Sequence, residues 1–180
     1  MINVNKPAEY ILSVAFHEVG HKIANNNPEA FNIVKEFVFE YLKKKGVDVN
    51  QRINNIKYTY RNVFSAEEAQ KSSEEEIVCN ALMSIPSEEK AMEVINDMEQ
   101  DEKRSLLSAL KKFIQKIKAF LSKYAKTTAE TKAYIGDVEN ITKLAEMVKN
   151  SIIDTDRKYE QKITSPITAM RNTVLDKLKI

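Results

Sequence analysis

Apolar residues recur at intervals of three and four along most of the chain, which is the repeat of an amphipathic α-helix. The clearest run lies between Asp101 and Tyr124 and predicts one long helix with a single apolar side. That side carries Leu106, Leu107, Leu110, Phe113, Ile114, Ile117, Phe120, Leu121 and Tyr124. A β-rich fold would need more turn residues and a more regular alternation of apolar and polar positions. The pattern therefore predicts an all-α protein.

Capping residues and a glycine divide the chain before this long helix. A first helix is predicted from about Pro7 to residues 25–27, since proline fits the first turn of a helix. A second helix opens at "NPEAF" and ends at "KKKGV", where the lysines suit the negative end of the helix dipole and Gly46 can adopt a left-handed conformation. Asp48 is the predicted cap of a third helix, which ends near Arg61.

Polar segments predict further breaks. We expect a short helical turn within "SAEEAQKSS", a break, and then a helix from about Ser73 to Ile85, while "SIPSEEK" leads into the next helix. Beyond the long helix, "KTTAET" precedes a helix over roughly 129–160, and "TSPITAM" starts a last helix. These breaks predict a helical domain over residues 1–125 and a C-terminal helical hairpin or extension over 126–180.

Composition and charge agree with a folded helical protein. Hydrophobic residues make up 43% of the 180 residues, with only 3 Gly and 4 Pro. The net charge of +2 gives no general argument for binding nucleic acid or an acidic membrane. Residues 101–126 hold eight Lys or Arg against two Asp or Glu. We interpret this excess first as a solvated helix face and second as a face that binds a partner.

Cysteine content and hydropathy bear on the compartment. Cys79 is the single cysteine, so no internal disulfide can form. The segment "MINVNKPAEY" has no apolar run behind a basic start, and no segment reaches the roughly 18 apolar residues that a membrane helix needs. We therefore expect a cytoplasmic protein with no signal peptide and no membrane span.

The two histidines of the chain both lie in "HEVGH". About one helical turn separates His17 from His21, so both imidazoles lie on one face and can bind one zinc ion. Glu18 lies beside that ion and can take a proton from a water molecule, as in the H-E-x-x-H arrangement of zinc proteases. The surrounding apolar residues predict a buried helix, in which Gly20 indicates close approach by another element.

A zinc site of this kind takes a third protein ligand. Because no histidine remains, we expect a carboxylate, with Cys79 as the weaker candidate. The best place is the acidic run of Glu74, Glu75 and Glu76, which leads into the apolar segment "IVCNALMSI". A charged first turn that is favoured by the helix dipole competes with ligation as the explanation of this run, and of Glu74 in particular.

Together these residues resemble the gluzincins, the thermolysin-like zinc metallopeptidases, in which a downstream Glu-x-x-x-Asp follows H-E-x-x-H. The pair "HEVGH" and "EEIVCNA" is most similar to small helical zincin-like domains in multidomain proteins of phages and conjugative elements. The resemblance implies zinc as cofactor, with His17, His21 and Glu76 as its ligands. It places Asn80 where the gluzincins have an aspartate that orients a ligand histidine. Glu75, one residue away, stays open as the alternative ligand.

The resemblance also implies hydrolysis of a peptide or protein substrate, with Glu18 as general base. Gluzincins add a hydrogen-bond donor that stabilises the oxyanion of the reaction. The candidates for this donor are Tyr58, Tyr60 and Arg61 in "IKYTYRNVF", and we select Tyr60 among them. Ordinary packing is the competing explanation of all three residues.

Two other functions compete with that of a zinc metallopeptidase. One is a catalytically inactive helical scaffold or interaction module of a mobile genetic element, which would bind a protein partner through its C-terminal helices. The other is a nucleic-acid binder that uses the basic residues of 101–126. The aromatic residues of that segment fall on the core side of its helix, so we expect no nucleic-acid partner.

Overall fold

The computed structural model describes residues 20–82, 85, 89–124 and 128–177, apart from the side chains of 120–137, 163 and 165–177. All regular secondary structure within these ranges is helical, so the all-α prediction is confirmed. Residues 20–26 form helix α1. The helices that follow are α2 (Pro28–Lys44), α3 (Val49–Tyr60), α4 (Ala66–Leu82), α5 (Glu89–Asp97), α6 (Gln100–Tyr124) and α7 (Thr128–Lys177).

The predicted ends of the early helices are confirmed. Helix α1 stops at residue 26, and the side chain of Asn27 caps α2 by accepting the Ala30 N–H at 3.3 Å. Gly46 has a φ of 77°, the left-handed conformation that follows the last turn of α2. Asp48 caps α3 by accepting the backbone N–H of Gln51 at 2.9 Å. The predicted start of the first helix lies outside the described residues.

The predicted break before Ser73 is wrong, because α4 runs without interruption from Ala66 to Leu82. Ser65 and Glu68 begin it with a capping box, in which each backbone N–H donates to the other side chain. Ser73 is buried within the helix and donates its hydroxyl to the Ala69 carbonyl at 2.6 Å. A serine satisfied in this way continues a helix instead of capping a new one.

The predicted break at "TSPITAM" is also wrong. Helix α7 runs for 50 residues, from Thr128 to Lys177, and includes Pro166. A proline inside a helix removes one hydrogen bond and is often accommodated by a kink, so it need not end the helix. Between Thr128 and Lys177 the chain therefore forms one long helix, which agrees with the predicted extension and not with a hairpin within this range.

One apolar core joins the helices. The described residues on the predicted apolar side of α6 are buried or half-buried there, whereas Lys111, Lys112, Lys116 and Lys118 are exposed. Residues of α2 and α7 contribute to the same core. Its largest fully buried side chains include Val34, Val38, Tyr41, Leu106, Leu110, Phe113, Ile141 and Leu144.

Helices α6 and α7 run antiparallel. Near the start of α6, the Gln100 side chain donates to the Ile152 carbonyl at 3.1 Å and to Asp156 at 2.8 Å. Helix α7 continues to Lys177, roughly 30 Å beyond Asp156 at the rise of an α-helix. No described helix is both long and apolar enough to cross a membrane.

Candidate metal centre

Helices α1 and α4 meet at Gly20. A Cβ atom at this position would lie 2.0 Å from Cys79 Sγ, closer than any real contact of a Cβ atom. Only glycine lets the two helices approach this closely, so the predicted role of Gly20 is confirmed. The contact brings the next residue, His21, against the buried side of α4.

His21 and Glu75 contact each other across this interface. Nδ1 of the His21 ring contacts Oε2 of Glu75, and the two residues are 54 positions apart in the sequence. The His21 side chain is 28% exposed, whereas that of Glu75 is only 4% exposed. A solvent-accessible imidazole therefore meets a nearly buried carboxylate.

The second oxygen of Glu75 has no hydrogen-bond partner in the described part of the chain, although it is buried. Among the described residues, Lys71 Nζ is the cation within salt-bridge distance of this oxygen, at 3.9 Å, and it donates a hydrogen bond to Asn25 Oδ1 at 2.6 Å. Leaving a buried acceptor unsatisfied costs about 1–3 kcal/mol, and more when the group is charged. A cation bound at this oxygen would remove that cost, so the Glu75 carboxylate fits a metal ion.

Glu76 is directed to a different partner. It accepts a hydrogen bond from the Tyr60 hydroxyl at 3.0 Å, which joins α3 to α4. Burial, followed by this hydrogen bond to Glu76, raises the pKa of Tyr60 above its ordinary value. Tyr60 therefore keeps its proton at neutral pH and remains a hydrogen-bond donor.

The remaining acidic and amide candidates on α4 lie on other faces. Glu74 accepts from Lys35 Nζ at 2.8 Å and from Gln70 Nε2 at 2.7 Å, so its carboxylate pairs with α2 and with its own helix. Asn80, the residue expected to orient a ligand histidine, is exposed on α4. Of the three glutamates of the acidic run, Glu75 is the one in contact with His21.

Cys79 is only 2% exposed. Burial is the main cause that raises the pKa of its thiol to about 12, and the charges of Glu75 and Glu76 add to the effect. The residue is therefore a neutral thiol at neutral pH. Its sulfur packs against Gly20, which agrees with the prediction that Cys79 is a weaker candidate than a carboxylate for the third metal ligand.

His21, Glu75 and Tyr60 line one cleft of about 530 Å³. Phe64 and Lys71 form other parts of its wall, and no sequence motif had marked either residue. The other two candidate donors, Tyr58 and Arg61, are exposed and interact with each other. The guanidinium of Arg61 lies 3.7 Å from the centre of the Tyr58 ring. The cleft therefore contains Tyr60 from the predicted set of donors, with the His21–Glu75 pair beside it.

His17 and Glu18 lie outside the described residues. Among the residues that the structure describes, no three His, Cys, Asp or Glu side chains form a group that could hold a metal ion. His21 and Glu75 supply two such donors, and His17 is the third that the motif predicts.

No protein-family model matches the chain, and neither the curated proteins nor the solved structures contain a significant match.

Proposed function

We propose that this protein is a zinc-dependent metallopeptidase-like domain that hydrolyses peptide bonds in a peptide or protein substrate. One observation carries the proposal. His21 and Glu75, from separate helices, meet beside a cleft, and one buried oxygen of Glu75 has no hydrogen-bond partner in the described structure. Zinc commonly binds imidazole nitrogen together with carboxylate oxygen.

Residues His17, His21 and Glu75 would hold the metal. The contact with His21 and the unsatisfied oxygen support Glu75 over Glu76, the residue that the gluzincin resemblance implies. Glu76 accepts the hydrogen bond of Tyr60. Zinc, when bound, would supply a Lewis acid that polarises the scissile carbonyl and lowers the pKa of a water molecule.

The side chains around the metal would divide the remaining chemistry. Glu18 would take the proton of the attacking water and pass it to the leaving amine as the peptide bond breaks. Tyr60 lines the cleft and keeps its proton at neutral pH, and its O–H, which donates to Glu76 in the structure, would turn to the oxygen that gains negative charge. The buried Glu75 and the Gly20–Cys79 contact would hold His21 in position.

A second candidate function is a catalytically inactive scaffold or interaction module. The direct His21–Glu75 contact favours it, because the two residues can join α1 to α4 without a metal. Either function fits the resemblance to domains of phage and conjugative-element proteins. Under both proposals the protein acts in the cytoplasm, where its one free cysteine stays reduced.

Metal content and proteolysis together test the proposal. Purified protein should bind about one zinc per chain by elemental analysis, and His17→Ala and His21→Ala should each abolish this binding. The zinc-loaded protein should cleave members of a degenerate peptide library, read by mass spectrometry. Glu18→Gln should keep the zinc and lose the cleavage. If the wild-type protein holds zinc but cleaves no peptide, the scaffold function is correct. If neither histidine affects zinc content, the metallopeptidase proposal fails.

A further inference from the structure

A groove of about 490 Å³ lies between α2, α5 and α6, on elements that do not carry the candidate metal centre. We refer to it as the acidic groove. Its floor is apolar and consists of Ile33, Phe37, Val94 and Met98. Its rim is acidic and consists of Glu36, Glu40, Asp97, Asp101 and Glu102.

The charges of the rim are only partly compensated. Lys44 is the basic residue that lines the groove, and it donates to Asp97 at 2.5 Å. Glu40 accepts a weaker contact from Lys43 at 3.4 Å. Within the described ranges, Glu36 and Asp101 form no salt bridge. Several carboxylates thus face the same solvent-filled space with little positive charge among them, which attracts cations to the groove.

The floor offers apolar surface between these charges. Phe37 and Val94 belong to the core, and the half-buried Ile33 and Met98 pack against it and remain accessible from the groove. This small apolar surface, framed by charged residues, has room for apolar side chains of another protein. Methionine also adapts its shape to different side chains, which suits a peptide-binding floor.

We propose that the acidic groove binds a basic amphipathic segment of a partner protein. Apolar side chains of that segment contact the floor, and its Lys or Arg residues pair with Glu36, Glu40 and Asp101. The charge complementarity identifies the occupant, because an acidic or purely apolar segment would leave the rim carboxylates facing like charge or no charge. Helix-in-groove recognition joins apolar anchors to flanking charges in the same way. The proposal does not depend on the metal centre.

Fluorescence anisotropy with a defined probe tests this proposal. The probe is a labelled synthetic helix of about 15 residues, with Leu on one side and Lys and Arg on the other. Glu36→Lys combined with Glu40→Lys should weaken its binding at least about tenfold, because both changes place positive charge on the rim. Higher ionic strength should weaken binding to the wild-type protein.

The matched control is Glu139→Lys combined with Glu146→Lys, at exposed positions of α7 that make the same change in net charge. The control should bind the probe like the wild-type protein. If both double variants weaken binding equally, the attraction comes from net charge and the proposed site is wrong. Glu36→Gln combined with Glu40→Gln serves as the test pair if the lysine variant does not fold, with circular dichroism as the check.

Two further results would overturn the proposal. A probe with Ser in place of every Leu that binds as tightly as the original would show that the apolar floor takes no part. Concentration-dependent dimers in light scattering, lost on Glu36→Lys with Glu40→Lys, would show that a second copy of this chain occupies the groove through its own basic residues. The assignment is supported if the groove variants weaken binding of the original probe and the α7 variants do not.

Discussion

Gly20 and Cys79 face each other so closely that a Cβ atom at position 20 would lie 2.0 Å from the Cys79 sulfur. This contact sets the distance between α1 and α4. Because His21 follows Gly20 directly, the same contact brings its imidazole against Glu75. A residue without a side chain therefore positions one of the two described donors of the candidate metal centre.

Gly20→Ala should destabilise the protein, because forcing an extra methyl group into a packed interface has a steric cost of about 1–3 kcal/mol. Alanine also gains up to about 1 kcal/mol of helix propensity over glycine, so the net loss is smaller than the steric cost. Urea unfolding followed by circular dichroism measures the change. An alanine variant as stable as the wild-type protein would contradict the close approach of the two helices.

Cys79→Ala provides the matched background for that substitution. With the sulfur gone, the new Cβ at position 20 has Cys79 Cβ as its neighbour at 3.7 Å, an ordinary van der Waals distance. Gly20→Ala should therefore be neutral or stabilising when Cys79 is already alanine. Equal costs in the two backgrounds would mean that the sulfur is not the obstacle.

The raised pKa of Cys79 predicts a loss of stability in alkaline solution. Below about pH 9 the thiol is protonated in both states, so this residue adds no pH dependence. Between the ordinary value of 9.0 and about 12, the unfolded chain loses the proton that the folded chain keeps. The free energy of unfolding should fall there by about 1.4 kcal/mol per pH unit because of this group.

The contribution of the Cys79 thiol can be separated from those of Lys and Tyr residues by urea unfolding. The wild-type protein and Cys79→Ala are compared at pH 8, 9, 10 and 11. The wild-type protein should lose more stability than the variant as the pH rises. Parallel curves for the two proteins would show that the thiol ionises normally. A thiol reagent at pH 8 should also react slowly with folded protein and quickly with unfolded protein.

Local chemistry in the sequence predicted much of the fold. Asn27, Gly46 and Asp48 end or begin helices as expected, since caps act through backbone groups only a few residues away. Ser73 misled because its hydroxyl bonds to the Ala69 carbonyl inside a helix, a choice that its burial favours. Pro166 misled because a proline can remain inside a long helix.

The sequence predicted the α4 residue that lies against His21 to within one position, since Glu76 was expected and Glu75 makes the contact. His21 and the acidic run could be identified from residue types, but one position along α4 corresponds to about 100° of rotation. The Gly20–Cys79 contact determines which glutamate faces His21, and no local pattern encodes that rotation. For the same reason, Phe64 and Lys71 become cleft residues only through the packing of the helices around them.

Glu75→Gln should reduce zinc affinity at least about tenfold, because an amide oxygen is a weaker ligand than a carboxylate and brings no charge. Glu76→Gln, at the neighbouring position, should have a much smaller effect, since Glu76 pairs with Tyr60. Competition with a fluorescent zinc chelator measures both affinities. The opposite order of effects would identify Glu76 as the ligand, as the gluzincin resemblance implies.

If the proposed function is correct, Tyr60→Phe should lower kcat by roughly a hundredfold while the zinc content stays unchanged, because it removes the proposed donor to the oxyanion and no proposed metal ligand. Loss of its hydrogen bond to Glu76 should also cost about 1 kcal/mol of stability. Tyr58→Phe is the matched control, since Tyr58 is exposed and stacks with Arg61. Steady-state kinetics on a cleaved peptide from the library measures both variants. Full activity of both would show that Tyr60 has only a structural role.

Anomalous diffraction at the zinc edge, from crystals of the zinc-loaded protein, tests the metal centre most directly. The proposed centre predicts one peak within about 2.2 Å of a ring nitrogen of His17, a ring nitrogen of His21 and a carboxylate oxygen of Glu75. A peak elsewhere on the molecule, or no peak near the His21–Glu75 pair under saturating zinc, would contradict it.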